Sequence, residues 1–317
     1  LELLAHIDSV VFDKTGTLTE GRPVVAGIST FGMEESELLR LAASAEFPSE
    51  HPLGKALVEE AIRQGITPCR PEEFKTLTGR GVTAVVDGKE ISVGRADWLE
   101  SLHITLADDQ GQKAGASLLV AVDGVHRASI QVKDRIKGNA ADVVARLHAD
   151  GLHSVMLTGD AEQTAREVAG LLKLKAWHAG LAPEDKVAKI VELQQQGRKV
   201  AFVGDGINDA PALTQADVGL ALGSGTDVAQ EAGDVLLVSG DIEGVLKARK
   251  LAQNTLKTIK GNFFWAFGYN AALIPVAARA FYAVTGMMLN PALAALAMSL
   301  SSLFVVGNSL RLKRITL

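Results

Sequence analysis

A single cysteine in 317 residues, Cys69, excludes a disulfide framework, and no Cys/His cluster marks a soluble metal-binding module. No Gly-x-x-x-x-Gly-Lys-Ser/Thr loop occurs. Gly88-Lys89 comes nearest, but Glu90 follows it and the upstream spacing is missing, so any ATP must be held in another way. The start carries no signal-peptide pattern, and the chain has neither an internal repeat nor a low-complexity stretch. It begins at Leu1 rather than methionine, so it is expected to be a piece of a longer protein.

Acidic residues are missing altogether beyond Glu243. Nine basic residues follow that point, which leaves 23 basic against 37 acidic residues before it. The net charge of -5 therefore divides into an acidic front part and a basic tail. Within the tail, residues 261–278 and 280–310 are uncharged stretches of 18 and 31 residues. A helix needs roughly 20 apolar residues to span a bilayer, so two helices with a turn between about Arg279 and Asn290 are expected. Basic residues cluster before the first stretch and after the second, which puts both ends in the cytoplasm by the positive-inside rule.

In the front part, strand-like and helix-like segments alternate. Strands are expected at 7–12, 153–157, 199–203, 217–221 and 235–238, with helices at 137–150, 161–173, 184–196 and 208–215. That order predicts an α/β fold with a doubly wound parallel sheet. Residues about 30–130 interrupt it with helices at 34–45 and 53–64 and strands at 82–87, 90–93, 117–122 and 125–130. Asp87-Gly88 and Asp123-Gly124 are hairpin-turn signals. The expected division is 1–30 with 131–245 as the sheet domain and 31–130 as an inserted α+β domain. A linker helix (246–261) and two transmembrane helices (262–311) complete it.

Chemistry concentrates at the ends of these strands. Asp13-Lys14-Thr15-Gly16-Thr17-Leu18-Thr19 follows the apolar run Val10-Val11-Phe12, and Gly16 permits a sharp turn. An aspartate at the carboxyl end of a parallel strand sits where open α/β sheets bind ligands, placed to carry a phosphoryl group as a nucleophile. Asp-Lys-Thr-Gly alone would be an ordinary turn; seven residues after a buried strand are more than that. Thr158-Gly159-Asp160 ends the next strand, where Thr158 can bond a phosphate oxygen and a helix N-terminus faces the anion. Lys186 can neutralise phosphoryl charge, and Asp205 and Asp209 in Gly204-Asp205-Gly206-Ile207-Asn208-Asp209 are hard oxygen ligands suited to Mg²⁺.

These strings, in this order, resemble the phosphorylation-domain motifs of the P-type ATPases, which have a haloacid dehalogenase-like fold. The resemblance implies Asp13 as nucleophile, Lys186 as stabiliser of phosphoryl charge, Asp205 as Mg²⁺ ligand and Asp209 as its support. It groups Thr15, Thr158, Gly159, Asp160 and Asn208 with the catalytic residues, and counts Asp13 and Thr15 among the Mg²⁺ contacts. Phosphatases of that superfamily usually carry a second aspartate, as general acid, two positions after the nucleophile. Thr15 stands there instead, which favours a lasting aspartyl-phosphate over a phosphatase.

In the insertion, Ser49-Glu50-His51-Pro52 precedes Gly79-Arg80-Gly81 and Val93-Gly94-Arg95. The first string resembles the nucleotide-domain signature of the heavy-metal-transporting subclass, which implies Glu46, His51, Gly79, Gly81 and Gly94 as ATP contacts. A capping role for His51 is the competing reading. In the tail, Tyr269 and Asn270 lie in the first apolar stretch, and Met298 and Ser302 lie four apart in the second, on one helix face. A thioether favours Cu(I). Packing between helices is the alternative for Ser and Asn. Together the two stretches resemble the last two helices of Cu(I)-exporting ATPases. Tyr269, Asn270, Met298 and Ser302 are then the implied ligands of the transported ion. The expectation is a membrane pump with cytoplasmic catalytic domains, using ATP and Mg²⁺, in contact with lipid and supplied by a copper chaperone, with no nucleic-acid partner. Pumps for Cu(II) or for zinc and cadmium, and a related phosphatase, are the alternatives.

Overall fold

The computed structural model describes residues 1–77, 79–107, 117–205, 209–223, 233–277 and 291–314; the side chains of Tyr269 and Met298 lie outside the described set. A short helix α1 (Glu2–Ala5) leads into β1 (Ser9–Asp13). The first sheet has the order β12-β11-β10-β1-β8-β9, all parallel, with β8 (His153–Leu157), β9 (Ala176–His178), β10 (Val200–Gly204), β11 (Val218–Leu222) and β12 (Val235–Leu237). Its helices are α5 (Ala140–Ala149), α6 (Glu162–Leu172), α7 (Pro183–Gln195) and α8 (Ala210–Gln215). Every residue of β1, β10 and β11 is buried, as a central parallel strand covered on both faces requires. Alternation along β1 splits the core, with Val10 and Phe12 packed on one side and Val11 on the other.

Topology places the chemistry. The chain leaves β1, returns to β8 beside it, and later crosses to β10 on the opposite flank. Strand order therefore reverses at β1, and in open sheets the crevice beyond the carboxyl ends at such a reversal is where ligands bind. Asp13, paired in register with Leu157, is the last residue of that central strand.

The second sheet has the order β2-β7-β6-β5-β4-β3 and is antiparallel. It comprises β2 (Thr19–Thr30), β3 (Glu73–Leu77), β4 (Gly81–Val86), β5 (Lys89–Gly94), β6 (Ser117–Val122) and β7 (Val125–Ile136). Helices α2 (Glu35–Glu46) and α3 (Pro52–Arg63) cover one face against Leu118, Val120 and Val122, and α4 (Ala96–Ser101) covers Leu119 and Ala121 on the other. Both expected Asp-Gly turns are present, with positive φ at Asp87, Gly88, Asp123 and Gly124. The sequence reading missed α1, α4, β2, β3 and β9. β2 alternates only weakly in burial and contains Gly21, Pro23 and Gly27, while β3 is almost wholly exposed, so neither shows an apolar stripe.

Helix α9 (Glu243–Ala277) is continuous over 35 residues, so the expected linker and the first apolar stretch form one helix. Helix α10 (Pro291–Leu310) lies beside it. Among the described residues, no helix is long and apolar enough to cross a membrane.

Candidate active site

Three ionisable groups meet at the end of β1. Lys186, in the first turn of α7, donates from Nζ to Asp13 Oδ1 at 2.6 Å and to Asp209 Oδ1 at 2.7 Å. Asp13 and Asp209 are 6% and 2% exposed, so a single ammonium serves two buried carboxylates and the cluster keeps a net negative charge. Burial, then the Asp209 charge, outweigh the pull of Lys186 and hold the Asp13 carboxyl up at about 6. Asp209 is likewise raised, first by burial. Burial acts to lower Lys186, but its contacts with the two carboxylates prevail and raise it. At neutral pH Asp13 is an ionised, poorly solvated carboxylate, which is the state a nucleophile needs.

The local sequence accounts for this placement. Residues 14–18 make one wide turn in which Gly16 takes φ +73°, a conformation costly for any residue with a β-carbon. Pro183 opens α7 with its φ already fixed, and the Asp185 carboxylate accepts from Ala182 N at 3.0 Å, fixing the helix start from which Lys186 reaches inward. Asp209 precedes α8 and accepts Leu213 N at its carbonyl.

Thr158 is 2% exposed, and its Oγ1 accepts from Asp160 N at 3.1 Å, which leaves the hydroxyl proton available for an incoming oxygen. Gly159 lies in the same tight loop, where a β-carbon would approach Leu181 O at 3.3 Å. Asp160 pairs with Lys14, a partner the sequence reading missed although Lys14 lies inside the motif it quoted. Thr15 is exposed at the mouth of the turn. Asp205 is half-buried, and its Oδ2 would lie 3.8 Å from a β-carbon on Gly16. Asn208 lies outside the described residues. Among the described residues, no three His, Cys, Asp or Glu side chains form a ready metal cage.

In the antiparallel unit a cavity of about 410 Å³ brings together Glu46, His51, Gly79, Gly81 and Gly94. Ser49, Arg80 and Arg95 line it too, and these stand inside or beside the quoted strings, where a cationic side chain next to a glycine was the available signal. Gly81 and Gly94 face each other across β4 and β5. A β-carbon on Gly81 would come 2.5 Å from the Trp98 ring and one on Gly94 2.5 Å from Arg80 O, so packing forbids side chains at both. Glu46 is 5% exposed with Oε2 unpartnered, and burial pushes its carboxyl up. His51 does cap α3, accepting Leu53 N at Nδ1, and it lines the cavity as well.

In the tail, Asn270 donates to Ala266 O at 2.8 Å within α9, and Ser302 is exposed on α10. Asn262 and Asn308 bond each other at 2.8 Å, and Asn262 also reaches Ser309 at 3.0 Å. These two asparagines join the helices.

Comparisons with known proteins agree with this geometry. A family model described as haloacid dehalogenase-like hydrolase matches residues 7–217. A copper-exporting P-type ATPase of Legionella pneumophila is 43% identical over 100% of this chain, which spans only 44% of that relative's length. A solved zinc-transporting PIB-type ATPase in an E2.Pi state superposes with a TM-score of 0.81 at 36% identity, over 98% of this chain and 50% of that one. The catalytic domain of the CPx-ATPase CopB-B, also 36% identical, gives a TM-score of 0.64 over 77% of this chain and 90% of that one.

Proposed function

Because the chain belongs to the haloacid dehalogenase-like hydrolases, and within them to the heavy-metal P-type ATPases, we propose that it is the catalytic and terminal-membrane part of an ATP-driven exporter of a soft metal ion, Cu(I). The observation that carries this is the buried Asp13 at the end of the central strand, 2.6 Å from Lys186, with Thr15 where a general acid would stand. Asp13 Oδ attacks the γ-phosphorus of ATP, its bond to phosphorus forms as the bond to the ADP oxygen breaks, and Lys186 offsets charge on the transferring oxygens. Thr158 donates to one of those oxygens. No side chain two positions on delivers a proton for hydrolysis, so the acyl phosphate persists.

The donor set suits Mg²⁺, which asks for one or two carboxylates and completes its shell with water and phosphate. Asp13, Asp205 and the Thr15 segment would hold it, with Asp209 behind them, and it would supply charge neutralisation at the phosphoryl group. Net negative charge around a lone ammonium is what a divalent cation offsets. ATP is assigned to the 410 Å³ cavity with Glu46, His51, Gly79, Gly81 and Gly94 as contacts. The proposed division takes 1–30 with 131–245 as the phosphorylation domain and 31–130 as the nucleotide domain, with β2 (Thr19–Thr30) and the end of β7 (131–136) built into the antiparallel sheet of the latter.

The membrane reading rests on the uncharged stretches 261–278 and 280–310. It also rests on the many large apolar side chains that the two helices expose, among them Phe263, Phe264, Phe267, Leu303 and Phe304. Tyr269, Asn270, Met298 and Ser302 are the proposed ligands of the cargo, in cytoplasm-facing pumps embedded in lipid and loaded by a copper chaperone. Absence of charge in both stretches favours Cu(I) over zinc.

Labelling with γ-phosphate-tagged ATP tests the reaction in the full-length protein. Acid-stable, hydroxylamine-labile label is expected, dependent on Mg²⁺ and stimulated by Cu(I), and absent from Asp13→Asn. Label that survives Asp13→Asn would refute the nucleophile, and stimulation by Zn²⁺ but not Cu(I) would reassign the cargo.

A further inference from the structure

The turn after the nucleophile is held from behind by a residue outside every motif. Lys137, which directly follows β7, extends its half-buried side chain so that Nζ donates to Gly16 O at 3.0 Å and to Gly240 O at 3.0 Å. Its backbone N–H also bonds Leu18 O at 3.0 Å, so main chain and side chain both grip residues 16–18. Gly240 lies just ahead of α9. There Asp241 accepts Glu243 N at 2.9 Å as a cap and Asn139 Nδ2 at 2.7 Å from the segment that carries Lys137. One ammonium thus ties three places far apart in sequence: the phosphorylation turn, the return from the nucleotide domain, and the head of the 35-residue helix.

Resting on the proposed phosphoryl transfer, we propose that Lys137 is a positioning residue for the reaction at Asp13, clamping the Gly16 peptide against the head of α9. Carbonyl and N–H of a planar peptide point in opposite directions, so anchoring Gly16 O behind the turn also aims the Thr17 N–H toward its front. The ends of the turn are closed by Thr19, whose N–H and Oγ1 both donate to Lys14 O, and by the Lys14–Asp160 pair, so the Lys137 bond acts at its middle, on the Gly16 carbonyl. Gly16 carries no side chain, and Thr17 Oγ1 is buried without a hydrogen-bond partner. Burial lowers the Lys137 pKa, against the nearby carboxylates of Asp241, Glu20 and Asp134, and charge on the ammonium makes its two bonds stronger than neutral ones. Lys137 touches neither Asp13 nor the nucleotide cavity. Its effect must therefore fall on the rate of phosphorylation and not on ATP affinity.

The test measures label incorporation from γ-phosphate-tagged ATP in the full-length protein, with nucleotide affinity measured on the same samples. Lys137→Met is expected to slow phosphorylation about tenfold at saturating ATP, as loss of a charge-assisted anchor implies, with KM for ATP within about twofold. Lys137→Arg, which can still bridge two carbonyls, should recover at least about half of the rate. Lys137→Gln keeps the hydrogen-bonding character without the charge and should fall between. An unchanged rate in Lys137→Met beside a labelled wild type overturns the inference alone. An unlabelled wild type overturns the phosphoryl-transfer reading, and this inference with it. If Lys137→Met and Lys137→Gln both lose ATP binding, the side chain supports the fold as a whole and the positioning role is refuted.

Discussion

The two sites are built on opposite principles. At the end of the parallel sheet, charge is buried and already paired: Asp13, Asp209 and Lys186 lie within 2.7 Å contacts, and both carboxyls are displaced upward. In the antiparallel unit, the cavity is shaped by absences. Two facing glycines leave space over Trp98, and its one buried carboxylate, Glu46, keeps an oxygen unpartnered. The first arrangement stores electrostatic tension for a reaction. The second presents a slot and an unfilled acceptor, as a binding site does. A site that does chemistry should therefore fail in rate when mutated, and a site that binds should fail in affinity.

The largest expected effect tests that division directly. Asp13→Asn should reduce phosphoenzyme by at least about 10³-fold, since an amide cannot act as the nucleophile, while ATP affinity stays within about threefold. A comparable loss of ATP affinity would break the comparison. Next comes Lys186→Met, expected to slow phosphorylation about 100-fold through lost charge stabilisation. Its pH profile is the sharper readout. In the wild type the rate should fall as pH drops through about 6, where Asp13 takes up its proton. Without the ammonium, burial and Asp209 are opposed by the Lys14 backbone hydrogen bond alone, so that acidic limb must move to higher pH. A limb that stays in place would assign it to another group.

Gly94→Ala addresses the other side. The new β-carbon meets Arg80 O and the Trp98 ring, so either the ring or the strand must yield into the cavity. ATP affinity should fall about tenfold, with phosphorylation at saturating ATP within about twofold of wild type. Isothermal titration and labelling on the same protein separate the two, and a matched loss of rate would show that the sites are not independent.

How far the sequence discloses each site follows from the same contrast. Asp13, Thr158 and Asp205 stand at strand ends, and parallel strands buried on both faces announce themselves as short apolar runs. Order along the chain was then enough to place their motifs on one edge. Pairing was not legible. That Lys186 would bridge Asp13 and Asp209, and that Lys14 would take Asp160, depends on side-chain reach across elements up to 173 residues apart. The cavity of the antiparallel unit was readable from Ser49-Glu50-His51-Pro52 and the glycine strings but not from Trp98, which makes Gly81 and Gly94 necessary and sits on a six-residue helix with no periodic signal. β2 and β7 show the limit most plainly. Their long pairing, with two register shifts, carries the chain between the units, yet β2 alternates so weakly that no pattern marked it. Lys137 escaped for a different reason, since as the first residue of an expected helix (137–150), close to Lys133 and Arg135, it reads as solvated surface.

The smallest expected effect asks whether the tension at Asp13 is real in the folded protein. A carboxyl held at about 6 in the fold against an ordinary 3.8 binds its proton more tightly folded than unfolded. Stability contributed by that proton is complete below about 3.8 and is lost as pH rises through 6, so at pH 8 the ionised Asp13 costs the fold about 3 kcal/mol. Asparagine has the same shape and never ionises. Asp13→Asn should accordingly raise the apparent Tm at pH 8 by about 5 °C, and the gain should shrink steadily as pH is lowered from 6 toward 4. Calorimetric scans of both proteins across that range decide it. A variant less stable than wild type at pH 8 would mean that the Lys186 contact outweighs burial and Asp209, and the contrast between a strained reaction site and a relaxed binding slot would lose its physical basis. A gain that follows the predicted pH course would show why this position tolerates an aspartate only where its charge is used.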